Sequence, residues 1–274
     1  MPFFASDGLT FHFLEAGSGV PFFLQHGLGG ETSLVFALFK PPPGVRLIGF
    51  DARGHGETRP LGDPAKIGIA SSADDLCALM DHLKIARAVI GGISMGAAIA
   101  LNLALRFPER LLGLALSRPA WLDFPRPENV RVFGLIAEMI RQHGAQHGRE
   151  LFIKHEVYQQ FRREFPDAAN SLVSQFNHPR AEETVAKFER IPNDAPCRDR
   201  AGWAQIAVPT LVLANRCDPI HPFEYGEELA RHIPGAEFRE LTSKSISLEQ
   251  HEADVNRFLT DFLERHFVSG GRPI

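Results

Sequence analysis

Short apolar runs alternate with amphipathic stretches along most of this chain. Phe11 and Phe13 alternate with polar neighbours, the period-two pattern of a half-buried strand. Asp7-Gly8 just before them suits a hairpin turn, and Gly17-Ser18-Gly19 marks another turn after them. Residues 20–25, 45–50 and 88–93 are mostly apolar and read as buried strands. Residues 71–83 repeat at helical spacing instead, with Leu76, Leu79, Met80 and Leu83 on one face. Residues 95–107 are predicted as a helix stopped by Pro108, and residues 111–116 as a strand. The pattern then changes. Residues 119–201 read as helical and polar, rich in Arg, Glu and His, with scattered prolines. Strand–helix alternation resumes with strands at 210–214 and 237–241 and helices at 222–232 and 249–267.

Buried strands alternating with helices predict an α/β fold: a mostly parallel sheet of eight strands with helices on both faces. Residues 1–118 and 202–274 form the expected core. Residues 119–201 are expected as a helical cap inserted after the sixth strand. Open α/β sheets bind ligands at the carboxyl ends of their strands, where such an insertion sits, so it reads as a lid.

Composition changes this picture little. A hydrophobic fraction of 44% and a charged fraction of 23% suit an ordinary globular core. The net charge of −4 comes without acidic or basic blocks, so neither nucleic acid nor a membrane surface is an expected partner. Residues 88–105 carry no charge and approach spanning length, but their clustered glycines favour a strand, a turn and a buried helix. The first residues lack a basic segment followed by an apolar run, so no secretory signal is expected. Cys77, Cys197 and Cys217 have neither disulfide-framework nor zinc-site spacing. A reducing, cytoplasmic setting is the expectation, with no metal or cofactor. Oligomeric state is left open.

The chemistry concentrates at two glycine-rich turns. Gly92-Ile93-Ser94-Met95-Gly96 is G-x-S-x-G between a predicted strand and a predicted helix, the setting of a nucleophile elbow. A serine there needs strained backbone angles and close passage of neighbouring chain, which glycines two residues before and after permit. The following helix points its positive end at the site. The plainer reading is a glycine-rich turn with an incidental serine. His26-Gly27-Leu28-Gly29-Gly30 follows an adjacent buried strand, and the N–H groups of Leu28 and Met95 would together form an oxyanion hole. Alone, it is equally a flexible loop. His26 reads as a structural, hydrogen-bonded histidine.

These two turns and the intervening Asp51-x-Arg53-Gly54-x-Gly56 segment resemble the α/β-hydrolase superfamily in order and spacing. The segment from Leu211 to Glu237, with VLANRCDPIHP and IPGAE, is similar to that family too. The resemblance covers nearly the whole chain outside the insertion and is specific for fold, not for substrate. It implies bracing roles for Asp51 and Arg53. It also implies that Asp218 is the acid of a catalytic triad, accepting from histidine Nδ1. The alternative for Asp218 is a turn aspartate before Pro219. Asp123 is a rival acid.

At the third member the chain departs from the family pattern. Histidine is expected after the last strand, where this sequence reads Leu241-Thr242-Ser243-Lys244-Ser245-Ile246-Ser247. Lys244 stands in its place, and His251 is the next histidine. His251 preserves the order Ser, Asp, His and is the favoured base; otherwise it belongs to the first turn of the last helix. Lys244 is the alternative base if desolvated, or an anion contact, or a solvated loop lysine. His221 reads as structural, kept as a further candidate by its nearness to Asp218. Cys217 reads as a buried filler.

The function expected is a serine hydrolase that acylates Ser94 with an ester-like or related small-molecule substrate. Ser94 argues against members of the fold that use an aspartate nucleophile, such as epoxide hydrolases and haloalkane dehalogenases. The competing reading is a non-catalytic ligand-binding member without a working triad histidine. A third is a cofactor-free transferase or peroxidase-like side activity on the same serine.

Overall fold

A computed structural model describes residues 2–268. The sheet opens with an antiparallel hairpin, β1 (Phe3–Ser6) and β2 (Leu9–Gly17), joined through Asp7 and Gly8 at positive φ. β2 also pairs antiparallel with β4 (Gly44–Phe50). All other pairings are parallel. β3 (Gly19–Gln25) lies between β4 and β5 (Ala88–Ile93), followed by β6 (Leu111–Ser117), β7 (Thr210–Ala214) and β8 (Glu237–Glu240). The spatial order is β1-β2-β4-β3-β5-β6-β7-β8.

The strands are apolar on both sides because both faces are covered. Phe23, Ile48, Ile90, Leu114 and Val212 face a layer built by α2 (Ile69–His82), α3 (Met95–Arg106) and α8 (Phe223–His232). Their alternates Phe22, Leu47, Val89, Leu211 and Leu213 face α1 (Thr32–Leu38) and α9 (Leu248–Leu263). Phe262 of α9 and Leu79 of α2 are fully buried, each worth roughly 1.5–3 kcal/mol relative to exposure. Among the described residues, no helix is long and apolar enough to cross a membrane. The uncharged run from residue 88 is β5, a turn and α3.

Between β6 and β7 the chain leaves the sheet and forms α4 (Arg131–Phe152), α5 (Glu156–Glu164), α6 (Pro166–Ser174) and α7 (Ala186–Arg190). Helix α4 is broken at Gly144, which adopts φ 72°. The insertion has its own apolar packing, with Phe152 against Tyr158 and Phe176, and Phe133 stacked on Phe188. Two of its cations reach into the core. Arg180 donates to the carbonyls of Gly56 and Thr58, and Lys187 donates to that of Gly54.

Lys187 is 2% exposed. Burial pulls its ammonium from the ordinary 10.5 down to about 7. Between those two values the unfolded chain binds the extra proton, so stability rises with pH across the window. This one group supplies a slope of up to about 1.4 kcal/mol per pH unit. Lys187→Met is expected to flatten the rise in urea-unfolding free energy between pH 7 and pH 9 relative to wild type. Parallel curves for the two proteins would contradict a lowered Lys187.

Candidate active site

β5 delivers Ser94 at the carboxyl end of the sheet. Its backbone sits at φ 59°, ψ −113°, immediately before α3. A non-glycine residue held there costs on the order of 1–3 kcal/mol. The glycines around it have a steric reason. A Cβ on Gly92 would lie 2.1 Å from the Gly96 carbonyl carbon, and a Cβ on Gly96 would lie 2.2 Å from the Gln25 carbonyl oxygen. The Ser94 N–H donates to Ser117 O at 2.9 Å, which ties the turn to the end of β6. Ser94 Oγ has no hydrogen-bond partner among the described residues and opens on a cavity of about 630 Å³.

The loop after β3 faces the same cavity. Met95 is the first residue of α3, so its N–H has no intrahelical acceptor. The Leu28 N–H likewise has none among the described residues. The loop is fixed from behind. His26 Nε2 accepts from Ala52 N at 3.1 Å, and His55 Nε2 accepts from Gly29 N at 3.1 Å. Burial pushes both histidines below their ordinary value, which keeps each a neutral acceptor. Asp51 Oδ1 accepts from Thr32 N, and its Oδ2 accepts from Glu57 N and His12 Nδ1. Arg53 makes a bidentate pair with Asp75 at 2.7 Å and 2.7 Å.

Asp218 follows β7 and lines the cavity, but its partners differ from those expected. Arg118 donates to Oδ2 through Nη2 at 2.8 Å and Nε at 3.2 Å. His221 Nδ1 lies 2.9 Å from the same oxygen, and Oδ1 accepts from the N–H groups of Ile220 and His221. Burial opposes ionisation of Asp218, yet the charges of His221 and Arg118 outweigh it and hold the carboxyl well below the usual carboxylate range. Arg118 went unread in the sequence. The available signal was a charged residue directly after a buried strand, at the ligand-binding end of the sheet.

His251 is 1% exposed, on the first turn of α9, and it also lines the cavity. The expectation that it would be oriented by Asp218 is corrected here. Its Nδ1 donates to the Thr242 carbonyl at 2.8 Å. The loop before α9 is short and pinned, because Thr242 donates to Asp254 Oδ2 through both N–H and Oγ1. Ser243 Oγ donates to Arg216 O as well. Burial first, and then the charge of Arg118, lowers His251 to about 4. Lys244 lines the cavity without a hydrogen-bond or ion-pair partner among the described residues. The charge of Arg118 first, with partial burial, brings it down to about 8.

The cavity thus gathers Ser94, Leu28, Asp218, His251 and Lys244, together with Arg118 and His221. The insertion closes its other side with Phe133 and with residues of α6 such as Asp167 and Leu172. Asp123 lies apart, paired with Arg200. Cys217 is exposed, not a buried filler, because it adopts φ 56° at the bend before Asp218. Among the described residues no cluster of three or more His, Cys, Asp or Glu could hold a metal ion.

Sheet order and the strained strand-to-helix turn at Ser94 are those of an α/β hydrolase, and the chain belongs to that family: the family model for the alpha/beta hydrolase fold matches residues 20–252. It is similar to 3-oxoadipate enol-lactonase 2 of Acinetobacter baylyi, 27% identical over 76% of this chain and 74% of the relative. Among solved structures it resembles an enol-lactonase from Burkholderia xenovorans. That match has 26% identity and a TM-score of 0.72, covering 96% of this chain and 99% of the other. A thermophilic esterase from Thermogutta terrifontis is similar at 26% identity and a TM-score of 0.72, covering 94% and 96%. The chain is an enzyme-family member of hydrolase type, with relatives named for lactone and ester hydrolysis.

Proposed function

We propose that this protein hydrolyses a small carboxylic ester or lactone through an acyl-enzyme on Ser94. The observation that carries the reading is the backbone of Ser94, held at φ 59° on the turn into α3 with its hydroxyl open to the cavity. Ser94 Oγ attacks the substrate carbonyl while a histidine on the cavity wall accepts its proton. The N–H groups of Leu28 and Met95 receive the developing oxyanion, and the α3 N-terminus adds its positive end. The proton then passes to the leaving oxygen. Water repeats the sequence to release the acid. These steps use only groups of this chain and no cofactor.

Asp218 is the acid of the site in this reading. Lys244, still mostly protonated at neutral pH, offers a cation to an acidic part of the substrate or to the leaving group. Residues 119–201 serve as the lid and residues 1–118 and 202–274 as the core. The enol-lactonase and esterase relatives support the substrate class.

Incubation with a fluorophosphonate probe is expected to label the protein covalently, with the adduct on the peptide carrying Ser94. The second reading is ligand binding without turnover. One observation favours it: Ser94 Oγ has no hydrogen-bonded base among the described residues. Complete absence of labelling and of ester turnover would decide for it.

A further inference from the structure

We infer that the site takes an ester with an unbranched aliphatic chain, and that this chain lies in an arm of the cavity between α1 and α9, away from the insertion. The inference rests on the hydrolytic reading above and names the class of substrate that this reading leaves open.

Beside the strand ends, the cavity over Ser94 has two further walls. One is the insertion, through Phe133 and α6. The other is formed by α1 and α9, which pack against each other on the same face of the sheet. Leu34, Val35, Ala37 and Leu38 line it from α1, and His251 and Val255 line it from α9. Leu34 and Leu38 are four positions apart, as are His251 and Val255, so each pair lies on one helix face. Both helices follow a parallel strand and therefore start at the carboxyl end of the sheet, where Ser94 sits. The arm runs from Ser94 down between them, with His251 at its upper end.

The arm has a closed end. Asn256 Nδ2 donates to the Leu38 carbonyl at 2.6 Å, and Asn256 Oδ1 accepts from the Lys40 N–H at 3.1 Å. These two bonds tie the last turn of α1 to α9 just beyond Val255. Past them Leu259 and Phe262 are buried in the core. Leu34 and Leu38 are about 6 Å apart along the helix, the reach of roughly five chain carbons.

The lining selects for hydrocarbon. Apart from His251, those six side chains are aliphatic and offer no hydrogen bond, so a polar group in the arm would lose water without gaining a partner. A methylene gains by leaving water. Leu34 is 59% exposed, an apolar surface that a bound chain would cover. Ala37 is the smallest side chain on the α1 stripe, and its missing bulk leaves the chain its space. Charge enters only beside His251, through Lys244 and Glu252.

Acid release is measured for two ester series that share ethyl acetate. Ethyl esters are lengthened on the acyl side to ethyl hexanoate, and acetates on the alcohol side to hexyl acetate. A fully buried methylene is worth about fourfold, so wild type is expected to gain at least about tenfold in kcat/KM along one of the series. The series that shows the gain tells whether the acyl or the alcohol side occupies the arm. Ala37→Phe fills the arm and is expected to cut the gain to below about threefold. Ser171→Phe, which puts the same bulk on α6 at the insertion wall, is expected to keep it. The readout is a ratio within each variant, so a smaller folded fraction does not imitate the effect. If Ala37→Phe does not fold, Leu34→Glu, which sets a charge on the exposed lip of the arm, is measured in its place. No gain in either wild-type series, a gain that survives Ala37→Phe, or a loss in Ser171→Phe as large as in Ala37→Phe overturns the inference. In those cases turnover of ethyl acetate leaves the hydrolytic reading standing. If wild type hydrolyses none of the esters, that reading fails and the inference falls with it.

Discussion

Ser94→Ala is expected to lower turnover of an activated ester such as p-nitrophenyl acetate by on the order of 10⁴-fold, about 5.4 kcal/mol of barrier. The large figure follows from what the substitution removes. Without Oγ there is no acyl-enzyme, and only the oxyanion hole and binding remain to act on the ester. The fold should not change. Alanine keeps the Cβ, so packing of the turn against β3 and β6 is unaltered, and it accepts the φ 59° backbone at a cost similar to that of serine. Steady-state turnover beside a thermal melt tests both halves. Turnover within tenfold of wild type would mean that the ester is cleaved elsewhere.

The largest expected loss of stability comes from Arg53. Its side chain is 4% exposed and Asp75 is 3% exposed, and the bidentate pair joins the loop after β4 to α2. Asp7 contributes a third carboxylate contact at 2.9 Å. Burial works to raise Asp75, and Arg53 opposes that rise. Arg53→Leu therefore strands a buried carboxylate, at a cost of about 3–5 kcal/mol. For a chain of this size that corresponds to a fall in Tm of roughly 10 °C. Adding Asp75→Asn to Arg53→Leu should recover part of the loss, because no uncompensated charge remains. A double variant less stable than Arg53→Leu alone would place the cost in lost packing instead.

The strands, the strained turn at Ser94 and the glycine-rich loop after β3 could be read from sequence because each is a local pattern. Uninterrupted apolar runs such as 88–93 belong to strands covered on both faces, and glycine spacing around Ser94 reflects contacts of backbone with backbone. Helix α1 was not read. It has seven residues, and its first free N–H is satisfied by Asp51, a residue distant in sequence. The final helix runs to Leu263 and continues as a π-helical stretch, Glu264–Val268, so the helical run reaches the expected 267 with a change of winding that the sequence pattern did not show. The wiring of the site was least readable. Arg118 reaches Asp218 across neighbouring strand ends, and His251 turns to Thr242 because Asp254 holds that loop. These are choices among partners brought together only by the sheet, and no spacing in the chain encodes them.

The ties between insertion and core are distributed unevenly. Arg180, Lys187 and Asp194 reach the core at Gly56, Thr58, Gly54 and Ile69, and Asn102 of α3 reaches back to Pro196. The side-chain hydrogen bonds of α5 and α6 stay within the insertion among the described residues. Mechanically, this is a flap stitched along one edge. Parting the stitched edge would require stripping buried cations from carbonyls, whereas no side-chain hydrogen bond among the described residues ties the α5–α6 edge to the core. For the lid proposed above, the expected entry to the chamber above Ser94 is therefore past α6 and the Gly29 turn, where Gln175 meets Gly29.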